Sequence, residues 1–369
     1  MSKNQKDYND LFESYGNYAE RKREREARAV ANAKMRRIRF INKILKSLIA
    51  VVLILGIALF CVTLVKPQSL DGTYTQTITS GDNVVSGTIG YANRNDNTAT
   101  IAEDAKSDYA IVIEVGTNTV LASKNANERI YPASMTKVMT LLVAAENIDD
   151  TSKLFKMTSE IIDPLYKQDA TITGLKAGEE VPLVDLLYGI SLPSGADAAV
   201  AIATYVSGSE KDFVKLMNKK VIELGLTGTH FSNTTGMDSN NHYTTVHDMA
   251  IITRAAMQNE LCRKIMSTKE YTTTSTEKNP GGITFQNGVF SKMKGDEPEK
   301  VTVIGGKTGF TNKALYCLTS FAVTDDNREL ICVTAKGEGK YDPIYDAIDL
   351  YTKYGYPDFE ETESNTSSN

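Results

Sequence analysis

Histidine and cysteine are scarce in this sequence, with three of the first and four of the second among 369 residues. His230, His242 and His247 are not placed with any cysteine as a set of zinc ligands, so neither a metal enzyme nor a cofactor is expected. Beyond Cys61 only Cys262, Cys317 and Cys332 remain, and three thiols do not build an even disulfide framework. Cys317 and Cys332 fall in apolar runs and read as core. Internal repeats are absent. Long apolar runs are absent too, apart from a single one.

That run, LIAVVLILGIALFCVTLV at 48–65, is almost uncharged and meets the lower length for a bilayer-spanning helix. Residues 1–46 ahead of it carry 13 of the 41 Lys and Arg. The positive-inside rule then places 1–47 as a basic cytoplasmic segment, lying against anionic lipid heads, and everything after Lys66 outside the cell membrane. Bulky residues stand where a signal-peptide cleavage site needs small ones, and Phe60 before Cys61 fits a lipoprotein site poorly, so an uncleaved single-pass anchor is expected. Through Lys66 the net charge is +8, which leaves −13 for the rest. An outer part this acidic argues against nucleic acid as a partner.

Residues 66–106 are rich in Thr, Ser, Asn, Gly and Asp, with too little apolar material for a core, and are expected to form a linker. Order is expected from Tyr109, where YAIVIEV and TVLASK flank Gly116-Thr117-Asn118 as a hairpin. Met135, Val138, Met139, Leu142 and Ala145 recur with the spacing of a helix face, with Pro132 in the first turn. Further helices are predicted over 183–190, 196–205, 210–224 and 246–258, followed by a Thr- and Lys-rich surface stretch. Three apolar strands at 301–305, 315–323 and 329–335 come next, then a helix over 343–354. The fold class is therefore α+β: one antiparallel sheet of N- and C-terminal strands with a helical subdomain inserted between them, spanning 107–357. An acidic, Ser- and Asn-rich tail, 358–369, is expected to be disordered.

Ser134 and Lys137 form a Ser-x-x-Lys pair, a weak signal that recurs at Ser275/Lys278 and Ser291/Lys294. Context separates them, because only the first pair starts an apolar helix, where residues three apart share a face. There a lysine with a lowered pKa can take the serine proton, and free N–H groups can hold an oxyanion. Taken alone, such a pair is more often an N-capping serine followed by a surface lysine. Ser194 sets a second hydroxyl at a turn before a small-residue helix, and Lys307-Thr308-Gly309 ends a predicted edge strand. A cation and a hydroxyl there, with Gly309 allowing close backbone approach, suit a terminal carboxylate.

SMTK, SGA and KTG, in this order, resemble the three motifs of the penicillin-recognising serine enzymes. Together YPASMTKVMT, GLKAGEEVPLVDLLYGISLPSGADAAVAIA, FSNTTGMDSNNHYTTVHDMA and GGKTGFTNKALYCLTS are similar to the D-alanyl-D-alanine carboxypeptidases, the low-molecular-mass penicillin-binding proteins, over roughly residues 107–357. The resemblance implies a β-lactamase/transpeptidase-like fold and a serine D,D-peptidase. Carried across, it makes Ser134 the acylated nucleophile, Lys137 its base and Ser194 a proton relay. It makes Lys307 and Thr308 the carboxylate holders, with the N–H groups of Ser134 and Phe310 as the oxyanion hole. The implied partners are a peptidoglycan stem peptide ending in D-Ala-D-Ala and the β-lactam antibiotics.

Three departures stand out. Ala196 replaces the asparagine usual in the second motif, which weakens substrate binding by about 0.5–1.5 kcal/mol for one neutral hydrogen bond. The C-terminal β domain of many relatives is expected to be absent, with the tether at the N-terminus instead. The extra arginine that some relatives use for the carboxylate has no obvious counterpart; Lys336 and Lys340 are the candidates. Two other readings stay open: a silent wall sensor that binds penicillin, and a β-lactamase. The second lacks a Glu-x-x-Leu-Asn string, and Glu179 and Glu180 read as first-turn acids of a helix.

Overall fold

Apolar residues in the predicted strands come in unbroken runs, the pattern of a sheet covered on both faces. In the computed structural model, which describes residues 92–355 apart from 96, 103, 104, 294, 296, 297 and 299, the strands form such a sheet. The strands are β1 Ala99–Thr100, β2 Tyr109–Glu114, β3 Thr119–Lys124, β4 Leu154–Lys156, β5 Glu180–Pro182, β6 Glu270–Thr272, β7 Thr284–Gln286, β8 Val301–Thr311, β9 Leu315–Thr324 and β10 Glu329–Gly337. Six of them make one sheet in the order β1-β3-β2-β10-β9-β8, antiparallel except where β1 runs parallel to β3. The N-terminal hairpin and the three C-terminal strands thus meet at the β2–β10 ladder, with Ile113 opposite Ile331.

Period-two alternation divides the sheet between two cores. Ile111, Ile113, Ile331, Val333 and Phe321 face the inserted helices. Ala110, Val112, Leu330, Cys332 and Leu318 face the opposite layer, where Ile344, Ala347 and Tyr351 close the core. The helices are α1 Thr136–Asn147, α2 Ser159–Lys167, α3 Leu183–Ser191, α4 Ala196–Ser207, α5 Glu210–Glu223, α6 Val246–Gln258, α7 Glu260–Ser267, α8 Gly288–Met293 and α9 Asp342–Tyr354. In α1 the residues from Thr136 to Ala144 are all buried, so the helix is enclosed rather than laid down by a single face. It contacts α3, α4, α5, α6 and α7.

Several boundaries depart from the sequence reading. The chain passes Pro132 into one 3₁₀ turn, Ala133–Met135, before α1 begins. Strand β8 runs on to Thr311, so Lys307-Thr308-Gly309 lies inside a strand; glycines and polar residues hid the continuation, but β9 pairs with every residue from Gly305 to Thr311. The Thr-rich stretch contributes β6, paired with β7. Contact with the sheet also begins before Tyr109, since β1 pairs with β3 and Ala92 and Ile101 are buried. Glu179 is no first-turn acid: it accepts from Lys176 N–H (2.5 Å), from Thr276 Oγ1 and from Asn279 Nδ2 (2.8 Å), tying two loops together. Cys262, Cys317 and Cys332 are free and buried. Among the described residues no helix is long and apolar enough to cross a membrane. The expected anchor at 48–65, the basic segment before it and the tail at 358–369 lie outside them.

Candidate active site

Ser134 sits on the 3₁₀ turn, partly exposed, and Lys137 follows one turn later with 3 % of its surface exposed. Lys137 Nζ donates to Ser134 Oγ at 3.1 Å and to the Thr235 carbonyl at 2.6 Å. Burial pulls its pKa from 10.5 to about 7, against the nearby charges of Asp197 and Glu210, which act in the opposite direction. A neutral amine within reach of a hydroxyl can remove its proton.

The carbonyl that holds Lys137 is presented by a tight turn. Asn233 Oδ1 accepts from the N–H groups of Thr235 (3.1 Å) and Gly236 (2.7 Å), while its amide donates to the Met237 carbonyl (2.9 Å). Thr140 of α1 donates to the Thr234 carbonyl (2.8 Å), and Glu210 accepts from Thr234 N–H and hydroxyl at 2.9 and 2.7 Å. Gly236 has φ +89°, and a Cβ there would overlap the Ala133 carbonyl. The SNTTGMD segment belongs to a block quoted for its resemblance, but its part in seating the lysine was missed. An Asn three residues before a Gly was the only local sign.

Ser194 occupies the turn between α3 and α4 with φ 68°, in the left-handed region that non-glycine residues avoid. Its buried Oγ has no hydrogen-bond partner among the described residues. Three residues on, Asp197 is buried and accepts from Thr173 N–H (2.9 Å) and hydroxyl; burial raises its pKa. Its charge acts on Lys137, raising the pKa that burial lowers. Ala196 is 2 % exposed, and its N–H is committed to the Thr171 carbonyl (2.8 Å), so its methyl brings no amide into the site.

Lys307, Thr308, Gly309 and Phe310 arrive on edge strand β8. A Cβ on Gly309 would stand 3.0 Å from Ser134 N, 3.1 Å from Ala133 Cβ and 2.9 Å from Cys317 Sγ. Only glycine lets the strand pass this close to the serine turn. Lys307 is buried, donates to the Thr308 carbonyl at 3.0 Å, and has its pKa lowered by burial and then by Lys137 and Lys292. Lys292 Nζ lies 3.3 Å from Thr308 Oγ1. Lys336, expected near this group, instead pairs with Asp108 at 2.8 Å. Phe310 is exposed and stacks on Tyr316.

The other Ser-x-x-Lys pairs do not share this setting. Ser275 and Lys278 lie in a loop, and Lys294 is outside the described residues. His242 Nδ1 accepts from Ser232 N–H (3.0 Å), so Nε2 carries the proton and donates to Thr136 Oγ1 (2.8 Å); burial pulls its pKa to about 4. Both nitrogens are occupied away from Ser134.

The sequence pattern of the family described as D-alanyl-D-alanine carboxypeptidase matches residues 95–338. The chain belongs to this family. Within the D-alanyl-D-alanine carboxypeptidase family it is 39 % identical over 241 residues to DacF of Bacillus subtilis, covering 64 % of this chain and 58 % of that one. It is 34 % identical over 268 residues to the D-alanyl-D-alanine carboxypeptidase of Streptomyces sp. strain K15, covering 69 % and 88 %. Among solved structures, the Streptomyces K15 DD-transpeptidase superposes with TM-score 0.61 at 28 % identity, over 69 % of this chain and 99 % of that one. Penicillin binding protein 5 from Haemophilus influenzae does so with TM-score 0.62 at 27 % identity, over 69 % and 72 %. The chain thus spans less than two thirds of DacF.

Gly236 offers a test of how this carboxypeptidase-family site is held. Gly225→Ala, at φ +71° with nothing near the added carbon, should cost about 1–2 kcal/mol. Gly236→Ala adds a backbone clash and should cost about 3 kcal/mol or more in urea unfolding. Equal losses would mean that the turn has room to move.

Proposed function

We propose that this protein is a serine D-Ala-D-Ala carboxypeptidase that removes the terminal D-alanine of peptidoglycan stem peptides through an acyl-enzyme on Ser134. The carrying observation is the Lys137 amine, 3.1 Å from Ser134 Oγ with its pKa near 7. The names of its relatives support the substrate. Ser134 Oγ attacks the carbonyl carbon of the penultimate D-alanine while Lys137 takes the hydroxyl proton. The N–H groups of Ser134 and Phe310 hold the oxyanion, the arrangement that the close pass at Gly309 supports. Ser194, with its unpartnered Oγ, relays a proton to the leaving nitrogen. Lys307 and Thr308 receive the terminal carboxylate. Water then releases the shortened peptide from Ser134. A β-lactam, whose strained amide offers the same carbonyl and carboxylate, acylates the same serine.

The silent-sensor reading is the weaker one, because a protein that only bound would have no use for a lysine with a depressed pKa against its serine. No observation favours the β-lactamase. The basic run followed by the apolar stretch at 48–65 supports a membrane tether, with the peptidase domain outside the cell; that domain takes in residues 92–106, which join the sheet, so the proposed linker is confined to 66–91.

Full-length protein incubated with a pentapeptide ending in D-Ala-D-Ala should release D-alanine, and Ser134→Ala should reduce the rate at least about 10³-fold. Release by the variant at the wild-type rate would remove Ser134 from the mechanism, and none from the wild type would leave the sensor. Because Lys137 must be neutral to act, kcat/KM should rise with pH along a limb centred near pH 7. A flat profile from pH 5 to 9 counts against Lys137 as the base. Protease added to intact cells should digest the domain and spare the N-terminal 46 residues; the reverse pattern overturns the orientation.

A further inference from the structure

Two ammonium groups flank Thr308, and only one of them belongs to a motif. Lys307 donates to the Thr308 carbonyl at 3.0 Å. On the hydroxyl side, Lys292 Nζ reaches Thr308 Oγ1 at 3.3 Å, coming from α8, an element that carries none of the three motifs. The seat of that helix is well defined. Asn287, buried just before it, donates to the carbonyls of Met266 (3.1 Å) and Thr268 (3.2 Å) and accepts from Val289 N–H (3.0 Å). Val289 and Met293 anchor its inner face in the core. Lys292 then folds back over its own first turn, to 3.3 Å from the Gly288 carbonyl. A Cβ at Gly288 would sit 3.3 Å from Lys292 Nζ and 3.4 Å from Thr308 Oγ1, so the glycine keeps that path open.

Among the described residues Lys292 pairs with no carboxylate. Its two oxygens, a hydroxyl and a carbonyl at 3.3 Å each, are neutral and distant. Its neighbours in the field are other cations: Lys340 lowers its pKa together with burial, and Lys292 in turn lowers that of Lys307. A concentration of positive charge around one threonine, with no carboxylate paired to Lys292 among the described residues, is complementary to an anion brought by a ligand.

We propose that Lys292 is a second cation of the carboxylate subsite, gripping the substrate's free C-terminal carboxylate together with Thr308 and Lys307. This rests on the carboxypeptidase reading and deepens it, because a subsite with two cations selects peptides that end in a free carboxylate over those that are amidated or extended. Lys336, held by Asp108, is not needed for this role.

The test compares full-length wild type, Lys292→Gln and Lys292→Arg on two pentapeptides, one ending in D-Ala-D-Ala and one in its C-terminal amide. Lys292→Gln should lower kcat/KM on the free acid about tenfold, mostly through KM, as expected for loss of a hydrogen bond to a charged group. It should leave the amide unchanged, and Lys292→Arg should restore most of the preference for the acid. An unchanged acid-to-amide ratio in Lys292→Gln, or equal losses on both peptides, overturns the assignment. Ser134 acylation by a carboxylate-bearing penicillin gives a second reading and should slow in the same variant. Should the wild type neither release D-alanine nor take up penicillin, the proposed function falls and this inference with it. An active wild type that is indifferent to Lys292→Gln removes only the inference.

Discussion

Everything about the site turns on an amine kept away from water. Lys137 is enclosed by α1 and its neighbours, and among the described residues the groups that bond it are a hydroxyl and a backbone carbonyl. An ammonium in such a place loses hydration that two neutral acceptors do not fully replace, and the proton is held less tightly as a result. Asp197 and Glu210 limit the effect, because each is near enough to act through its field but is bonded elsewhere, to Thr173 and Thr234. Direct pairing of either carboxylate with the amine would raise the pKa and keep the amine charged. The hydrogen bonds that hold those acids aside are thus as much part of the site as the serine.

The same enclosure explains strain in the backbone. Ala133, immediately before the serine, has φ 45°, and Ser194 has φ 68°. Each such conformation costs on the order of 1–2 kcal/mol outside glycine. They persist where packing leaves no alternative: Ala133 is pressed between Gly236 and Gly309, and the Ser194 turn is bracketed by the Gly195-to-Gly189 and Ala196-to-Thr171 hydrogen bonds. Two glycines on separate elements leave room for the serine turn. Strain concentrated at such sites is a common companion of preorganised chemistry.

Much of this was legible in the residues. Apolar runs and helical spacing announced the hairpin, the central helix and the three closing strands, and the order SMTK, SGA, KTG singled out one of three Ser-x-x-Lys pairs, whose side chains the structure brings to 3.1 Å. What stayed hidden were contacts between segments remote in sequence. Nothing near Thr235 says that its carbonyl receives a lysine 98 residues earlier. Nothing near Lys292, in a stretch of Lys, Gly and Asp that reads as loop, says that α8 is anchored by Asn287 and aims an ammonium at Thr308. Strand β8 was read too short for a related reason: Gly305, Gly306 and Gly309 have poor strand propensity, and pairing with β9 overrides it. Of the two cations sought on β10 and beyond, Lys336 is tied to Asp108, while Lys340 acts on Lys292 through its field.

The β2–β10 ladder has a consequence for the life of the nascent chain. Tyr109–Glu114 emerges early, yet the strand that covers it is Glu329–Gly337, and β8, which passes against the serine turn, reaches its place only through β9 and β10. Neither hairpin nor helical insertion can close its core alone, and the long loop between the paired strands makes this ladder a late event in folding. A ribosome-bound chain therefore carries the serine and the lysine without the strand that passes against them. The Ser134–Lys137 pair meets β8 only when almost the whole domain has been delivered.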